Sequence, residues 1–409
     1  MTVMRDIPDK ICQIQFIDNI WTDVTPWLQP DITVNRGSNR VETPIIRYDP
    51  GKCTVKLDNT DRRFDPTNNF GPYWDPSLGN RILPMRPIRV LMEWQNVRYP
   101  LFRGYIDEWD IAWNKNITSS VTVSATDGFK IFQNKRRVPL TTAVGAGELI
   151  SARVNRILDS VSWPNTAEFR NIATSNSVCQ GTLLDGSALE ELQRAADSEI
   201  GEFYMAADGR ATFRGRRALF TDTRSNTAQG NYGIFQGITN PCDVEFSTDD
   251  TTLWNEVIAQ IVGGNPQTSS DATSIATYSG MSKTLSVDEL ILTDDVTADN
   301  YADFILYLSK DAEIRYVTLS VHPMADPDIY FNQVLNREIG DRITISFQPS
   351  GGGLPITRDV FIRGISHTIR QRDWLTTWVL QSASKYSASF LILGDSVLGK
   401  LNSGNIWGY

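Results

Sequence analysis

The sequence is poor in the residues that most often carry out chemistry. It contains two histidines and four cysteines in 409 residues. The cysteines are Cys12, Cys53, Cys179 and Cys242. They are far apart and form no CxxC pair, so neither a zinc spacing nor a disulfide-rich scaffold is predicted. His322 and His367 belong to no HExxH motif. We therefore expect reduced, mostly buried thiols and histidines that serve packing or lie at the surface.

Long apolar runs and an excess of basic residues are also missing. No stretch approaches the roughly 18 to 20 apolar residues of a membrane span, and residues 1–10 lack the apolar core of a signal peptide. We expect no membrane-spanning segment and no export by this route. The formal charge is −9, which argues against a broad basic face that neutralises phosphates. The short basic stretch Arg214, Arg216 and Arg217 is interpreted as a solvated strand end.

Motifs of the common catalytic and nucleotide sites do not occur. The sequence has no GxSxG, Walker A or GxGxxG pattern. Residues 351–353 are three glycines that are typical of a hairpin loop, and the acidic loop at Asp58 and Asp61 lacks the glycine and distal glutamate of a calcium loop. Neighbouring carboxylates such as Asp107 and Glu108 are interpreted as solvated charges. We predict no catalytic, cofactor or metal site, and no enzyme.

What the sequence does contain favours strands. Aromatic residues make up 10% of the chain, with eleven tryptophans and nineteen prolines, and aromatic or β-branched runs between turn signals are typical of β-proteins. Residues 52–57 alternate with a period of two. They are followed by a loop over residues 58–76 that is dense in Asn, Asp, Pro and Gly. The length predicts two to four packed units.

The middle of the chain has a different pattern. Residues 147–159 carry apolar side chains at helical spacing. A second helix is predicted from Ser187 to about residue 198, with Ser187 and Glu190 as a capping box. Residues 201–214 predict a hairpin that turns at Asp208-Gly209. Strands return from about residue 241 to 393, interrupted by a helix over residues 298–308.

An internal near-repeat links the two ends of the chain. Ile88-Arg-Val-Leu-Met92 and Leu101-Phe-Arg-Gly-Tyr-Ile106 match Arg342-Ile-Thr-Ile345 and Phe361-Ile-Arg-Gly-Ile365 in order and spacing. Each copy carries an Arg-Gly pair, with Gly104 in the first and Gly364 in the second. A glycine within a strand marks a bend, bulge or close backbone approach. We predict that Gly104 and Gly364 form the same barrel corner.

These patterns define the predicted fold class, which is mainly β with an α+β insert. Two related small β-barrels flank a mixed helix and hairpin region. The predicted domains are a first barrel over residues 1–138, an insert over 139–240, a second barrel with an inserted helix over 241–393, and an extended C-terminal arm over 394–409. Such an arm is expected to dock on a neighbouring molecule.

The N-terminal third resembles the minor tail proteins of the phage baseplate hub family. The resemblance rests on an ordered set of motifs. These are Cys53-Thr-Val-Lys-Leu-Asp-Asn59, Arg63-Phe-Asp-Pro66, Pro72-Tyr-Trp74, Pro87-Ile-Arg-Val90, Leu101-Phe-Arg-Gly-Tyr-Ile106 and Ala125-Thr-Asp127. The rest of the chain matches the family in architecture rather than in motifs. This chain has no long extension after the second predicted barrel, which puts the lytic role of some members in doubt here.

The resemblance implies a homotrimer whose two barrels per chain form a ring of pseudo-sixfold symmetry. Such a hub adapts the sixfold tail tube and distal tail protein to a threefold tip, and it contacts other tail-tip or fibre proteins. Its lumen passes the tape-measure protein and then DNA, so DNA is a partner only in transit. The expected location is the tail tip of the virion, after assembly in the host cytoplasm.

Aromatic side chains in polar loops are candidates for the contacts of such a ring. The candidate interface residues are Phe64, Phe70, Tyr73, Trp74, Trp407 and Tyr409. The loop that holds the first four can also pack back on its own barrel. Alternative functions are a hexameric distal tail or tube protein, a carbohydrate-binding tail adhesin that uses Trp109 and Trp113, and a hydrolase.

Overall fold

The computed structural model describes residues 7–113, 118–135, 140–235, 238–239, 242–349, 351–386, 390–391 and 406–407. The predicted domain boundaries at 138/139, 240/241 and 393/394 all fall outside these ranges, and they stay predictions. Within the described residues, no helix is both long and apolar enough to cross a membrane.

The N-terminal part is built almost entirely of strands. They are β1 (Asp9–Ile17), β2 (Ile20–Asp23), β3 (Leu28–Gly37), β4 (Asp49–Asp58), β5 (Trp74–Asp75), β6 (Gly79–Asn80), β7 (Pro87–Trp94), β8 (Val97–Trp113) and β9 (Ser119–Thr126). Buried and exposed residues alternate along β1, β3, β4, β7 and β9, as expected for strands with one face on a core. We call β1–β4 with β7–β9 the first repeat.

A middle region of short helices and strands follows. It contains α1 (Phe129–Asn134), β10 (Glu148–Leu149), α2 (Ile150–Ser160), β11 (Arg170–Ile172), β12 (Val178–Cys179), α3 (Ala188–Glu199), β13 (Glu202–Met205), β14 (Ala211–Arg214), α4 (Ala218–Thr221) and α5 (Thr223–Asn226). The predicted capping box is confirmed, because Ser187 Oγ accepts from the Glu190 N–H and Glu190 accepts from the Ser187 N–H. The predicted hairpin is formed by β13 and β14.

The C-terminal part returns to strands. It contains β15 (Asn231–Phe235), β16 (Ile238–Thr239), β17 (Cys242–Thr248), β18 (Glu256–Ile261), β19 (Gln267–Ser270), α6 (Ala272–Thr277), β20 (Thr284–Leu290), α7 (Asp295–Ser309), β21 (Ile314–Val321), α8 (Pro327–Leu335), β22 (Arg342–Phe347), β23 (Ile356–Ile369), β24 (Trp374–Ser382), β25 (Phe390–Leu391) and β26 (Ile406–Trp407). We call β15–β17 with β21–β24 the second repeat. The predicted helix over 298–308 corresponds to α7, which packs on β18 and β19.

The two repeats have the same strand order. The first repeat runs β3-β4-β9-β8-β7-β1-β2, and the second runs β17-β21-β24-β23-β22-β15-β16. One pairing differs, because β1 is antiparallel to β7 whereas β15 is parallel to β22. The mainly β fold and the related halves are thus as predicted from the sequence.

The repeats are joined into a single sheet of fourteen strands among the described residues, through antiparallel pairing of β3 with β23. No closed barrel is found in the described part of the chain. The first core is formed by the inward residues of β1, β3, β4 and β7–β9. The larger core is shared by the second repeat and the middle region.

Candidate assembly surface

The aromatic loop, residues 59–86, divides the predicted interface residues into two groups. Phe64 is fully buried, and the Tyr73 ring stacks on Phe16 at 3.7 Å and on Phe64 at 5.6 Å between ring centroids. Phe64 also lies 6.3 Å from Trp109. These rings complete the first core. Phe64 therefore offers no free surface, and Tyr73, which is half-buried, packs on its own repeat.

Phe70 and Trp74 remain available for contacts. The Phe70 side chain is 100% exposed, and Trp74 is 36% exposed. The turn that presents Phe70 is held by Asn68, whose side chain accepts from the Phe70 N–H at 3.2 Å and donates to the Arg62 carbonyl at 2.9 Å. An apolar ring presented by an ordered polar turn is a suitable contact residue for a partner.

Trp407 and Tyr409 are the two candidate interface residues of the predicted C-terminal arm. The backbone of Trp407 lies in β26, which pairs in parallel with β25. Tyr409 lies outside the described residues. The assignment of both residues to an interface stays a prediction.

Gly104 and Gly364 both lie at close backbone approaches. A Cβ on Gly104 would collide with the Thr126 carbonyl oxygen, and one on Gly364 would collide with that of Ser38. Their positions in the repeat differ, however. The Ile106 N–H donates to Arg86 and the Ile362 N–H to Asp341 at the equivalent point of each repeat, which places Gly104 two residues before this point and Gly364 two residues after it. The shared corner therefore needs correction: the two glycines are not structurally equivalent.

The junction between the repeats combines strand pairing with an aromatic wedge. Residues 364–369 of β23 pair with residues 32–37 of β3, with Ile369 opposite Ile32. Phe331 of α8 is fully buried in the first core, 5.2 Å from the Trp94 ring and 5.1 Å from the Trp374 ring. One side chain thus contacts both repeats.

A buried ion pair ties the middle region to this junction. The guanidinium of Arg363, in β23, pairs with the Glu202 carboxylate of β13. It also donates to Gln381 Oε1 at 2.7 Å and to the Tyr48 hydroxyl at 3.3 Å. Arg363 is 1% exposed. Burial of a charge requires such complete partnering.

The four cysteines are free thiols, and Cys12, Cys53 and Cys179 are buried. Burial raises the pKa of the Cys12 thiol to about 12, so this thiol is not ionised at neutral pH. Among the residues that the structure describes, no group of three or more His, Cys, Asp or Glu side chains could hold a metal ion.

A cleft with a cavity volume of about 620 Å³ is lined mainly by the middle region and by the segment that leads into β22. Its arginines are paired with acids, for example Arg224 with Asp341 at 2.5 Å and Arg214 with Asp222 at 3.1 Å. The pair of Arg224 with Asp341 joins the middle region to the segment that leads into β22.

Two buried ionisable groups near the junction have opposite pKa shifts. Burial lowers the pKa of His367 to about 3, with Arg36 as a lesser cause, and its Nδ1 lies 2.9 Å from Thr376 Oγ1. Burial raises the pKa of Asp127 to about 7, although the Gly51 and Phe129 N–H groups donate to it and lower the pKa in part. These shifts make the free energy of unfolding depend on pH.

We expect the two effects to oppose each other between about pH 6.5 and pH 4. As pH falls, unfolded His367 takes up a proton before the folded one does, which destabilises the protein by about 1.4 kcal/mol per pH unit. Asp127 takes up a proton at higher pH in the folded protein than in the unfolded chain, which stabilises the folded protein by a similar amount per pH unit. Relative to the wild type, His367→Gln should therefore gain stability as pH falls, and Asp127→Asn should lose it. Urea unfolding at several pH values measures both differences, and flat difference curves would refute the assignment.

Comparison with solved structures identifies the fold. A 43 kDa tail protein of prophage MuSo2 from Shewanella oneidensis matches with a TM-score of 0.56 and 10% identity, over 93% of this chain and 98% of that one. A tail protein from Neisseria meningitidis MC58 matches with a TM-score of 0.56 and 10% identity, over 92% and 98%. The chain has the fold of these phage tail proteins. No protein-family model and no curated protein matches the sequence.

Within this tail-protein fold, sequence reasoning missed the residues of the junction. Arg36 pairs with Glu338 across the repeats at 2.8 Å, and Phe331 wedges between them. The Arg-Gly pair marked this position in the sequence, but it pointed to Gly364 and not to Arg363. Glu338 lies 302 residues from Arg36, and Glu202 lies 161 residues from Arg363. Local patterns could therefore not reveal these contacts.

Proposed function

We propose that this chain is the structural hub at the tail tip of a long-tailed phage and that it acts as a homotrimer, not as an enzyme. The observation that carries the proposal is the duplicated strand order, with the two repeats joined edge to edge in one sheet. Three copies with two similar repeats each provide six similar positions around a threefold axis. Such a ring can meet a sixfold tube on one side and a threefold tip on the other.

The proposed role is mechanical. Ring closure covers strand edges that would otherwise pair without control. The distal tail protein and tail tube would bind one face, and other tail-tip or fibre proteins the opposite face. The tape-measure protein and then DNA would pass through the lumen during ejection. Each chain has a formal charge of −9, and an acidic lumen would prevent DNA from binding during passage.

Native mass spectrometry or light scattering of the purified chain tests this proposal. The chain mass is 45.9 kDa, so a trimer has a mass of about 138 kDa and a hexamer about 275 kDa. We expect the trimer. A stable hexamer would favour a distal tail or tube protein instead. A chain that stays monomeric at high protein concentration and binds host cell wall saturably would favour the adhesin.

A further inference from the structure

Equivalent backbone hydrogen bonds allow β8 of the first repeat to be aligned residue by residue with β23 of the second. Ile106 and Ile362 are equivalent, and each is followed by a bulge in the pairing with the next strand, at Asp107 and at Arg363. Residues 364–369 of β23 therefore correspond to residues 108–113 of β8. Ile369 and Trp113 are the last residues of the two strands, and they occupy equivalent positions in the two repeats.

The other side of the junction has a counterpart too. Ile32 of β3 pairs with Val55, which pairs with Val123 of β9. Val244 of β17 pairs with Leu319, which pairs with Trp378 of β24. Val123 and Trp378 are equivalent because they pair with Trp109 and Ile365, the second residues after the two bulges. The edge of β17 thus corresponds to the edge of β3.

The counterparts of the two joined edges pair with no further strand in the part of the chain that the structure describes. Among the described residues, the segment 108–113 of β8 pairs only with β9, and β17 pairs only with β21. Trp113 is 59% exposed where Ile369 is 1% exposed, and Phe246 of β17 is 56% exposed. Long strand edges with exposed apolar side chains are sites of pairing with another chain.

We propose that these two edges join successive copies of this chain, by the same pairing that joins the repeats within one copy. β17 of one copy pairs antiparallel with residues 108–113 of β8 in the next, with Val244 opposite Trp113 and Glu245 opposite Ala112. The inference rests on the proposed homotrimer, and it assigns the surfaces that close the ring. An edge-to-edge contact of this kind is heterologous, and it closes into a ring of three when the rotation from copy to copy completes one turn after three copies.

The wedge at the junction has a counterpart in the aromatic loop. In the second repeat, the segment between β21 and β22 carries α8, which places Phe331 against the β7–β8 hairpin of the first repeat. In the first repeat, the equivalent segment between β4 and β7 is the aromatic loop. Repetition of the junction places this loop, with the fully exposed Phe70, at the β22–β23 hairpin of the copy that contributes β17, where Leu354 is 88% exposed.

Charge at the new contact sets its salt dependence. Glu245 would lie opposite Ala112 of the neighbouring copy. Asp110 is two residues from Ala112 and so lies on the same face of the paired strands. Glu245 and Asp110 are both exposed. Like charges on neighbouring strands oppose pairing. Salt screens exposed charges over about 10 Å at 0.1 M and over shorter distances at higher concentration. The ring should therefore form more readily as the salt concentration is raised.

Disulfide trapping tests the register directly. The pair Glu245→Cys with Ala112→Cys, in a Cys242→Ser background of the full chain, should give a covalent trimer on mild oxidation. The matched control pair, Glu245→Cys with Glu108→Cys, lies about 13 Å out of register along the strand and should give none. Non-reducing electrophoresis and native mass spectrometry provide the readout. If native mass spectrometry shows a trimer but the in-register cross-link does not form, the edge assignment is wrong and the proposed hub function still stands. A hexamer, or a monomer at all salt concentrations, would overturn both.

Two surface substitutions provide a second measurement that does not depend on disulfide geometry. Trp113→Ser and Phe70→Ser each remove an exposed ring and should raise the dissociation constant of the trimer at least tenfold, while the midpoint of thermal unfolding of the monomer stays the same. Val296→Ser, at a 71% exposed position on α7, is the control and should leave association unchanged. Wild-type association of both ring variants would contradict the proposal.

Discussion

Glu202→Ala should lower the free energy of unfolding by about 3–5 kcal/mol, because it leaves the buried guanidinium of Arg363 without its carboxylate. The remaining partners, Gln381 and the Tyr48 hydroxyl, are neutral and cannot balance the charge. Arg214, whose guanidinium lies 3.4 Å from Glu202, still has Asp222. Chemical denaturation of the wild type and the variant measures the difference.

The double variant Glu202→Leu with Arg363→Met separates the role of the charge from that of the position. Replacing a buried pair with apolar side chains of similar volume is often neutral, so we expect it to recover most of the lost stability. Glu42→Ala is the control, since Glu42 pairs with Arg40 while both side chains are more than half exposed; its effect should stay within about 1 kcal/mol. Equal losses in Glu202→Ala and Glu42→Ala would refute the argument.

Local patterns predicted local structure well. The capping box at Ser187 and Glu190, the hairpin turning at Asp208-Gly209 and the alternating strand at residues 52–57 all occur in the structure. Each depends on contacts between residues close in sequence, where propensity and periodicity act. The relation between the two halves of the chain was also predicted, because the near-repeat preserves the succession of strands along the sequence.

Local patterns could not predict which residues of the two repeats are structurally equivalent. The Arg-Gly pairs align in sequence, but the backbone hydrogen bonds of Ile106 and Ile362 show a shift of four residues between the two glycines. Bulges at Asp107 and Arg363 and the neighbouring strands determine the pairing, and a bulge is not visible in a short motif. The joining of both repeats into one sheet depends likewise on β3 and β23, which are separated by more than 300 residues.

The aromatic loop shows the same limit at the level of single side chains. Phe64 and Phe70 stand six residues apart in one polar segment, yet one is fully buried and the other is fully exposed. The loop has no periodicity from which burial could be derived. Its turns, set by Asn59 and Asn68, decide the directions of the two rings: the side chain of Asn59 accepts from the Phe64 N–H at 2.8 Å and directs this residue inward.

The position of Phe331 affects both the stability of the chain and its proposed assembly, because both depend on how the two repeats are oriented. α8 belongs to the second repeat, but the Phe331 ring lies in the first core between Trp94 and Trp374. If only the pairing of β3 with β23 joined the two repeats, one repeat could bend relative to the other at this pair of strands. The buried Phe331 side chain fixes their relative orientation, and the contact that we propose between copies can repeat the junction only if that orientation is kept.

Phe331→Ala should therefore lower the free energy of unfolding by about 3–5 kcal/mol, through lost burial and the cavity left between two tryptophans. We also expect faster amide hydrogen exchange in residues 32–37 and 364–369, since the junction opens more often when the wedge is gone. Ile329→Ala on the same helix is the control; Ile329 is 55% exposed, and its effect should be within about 0.5 kcal/mol. Unfolding in denaturant, followed by tryptophan fluorescence, measures the loss. Unchanged exchange at the junction in a destabilised Phe331→Ala protein would show that the ring fills the core without holding the repeats together.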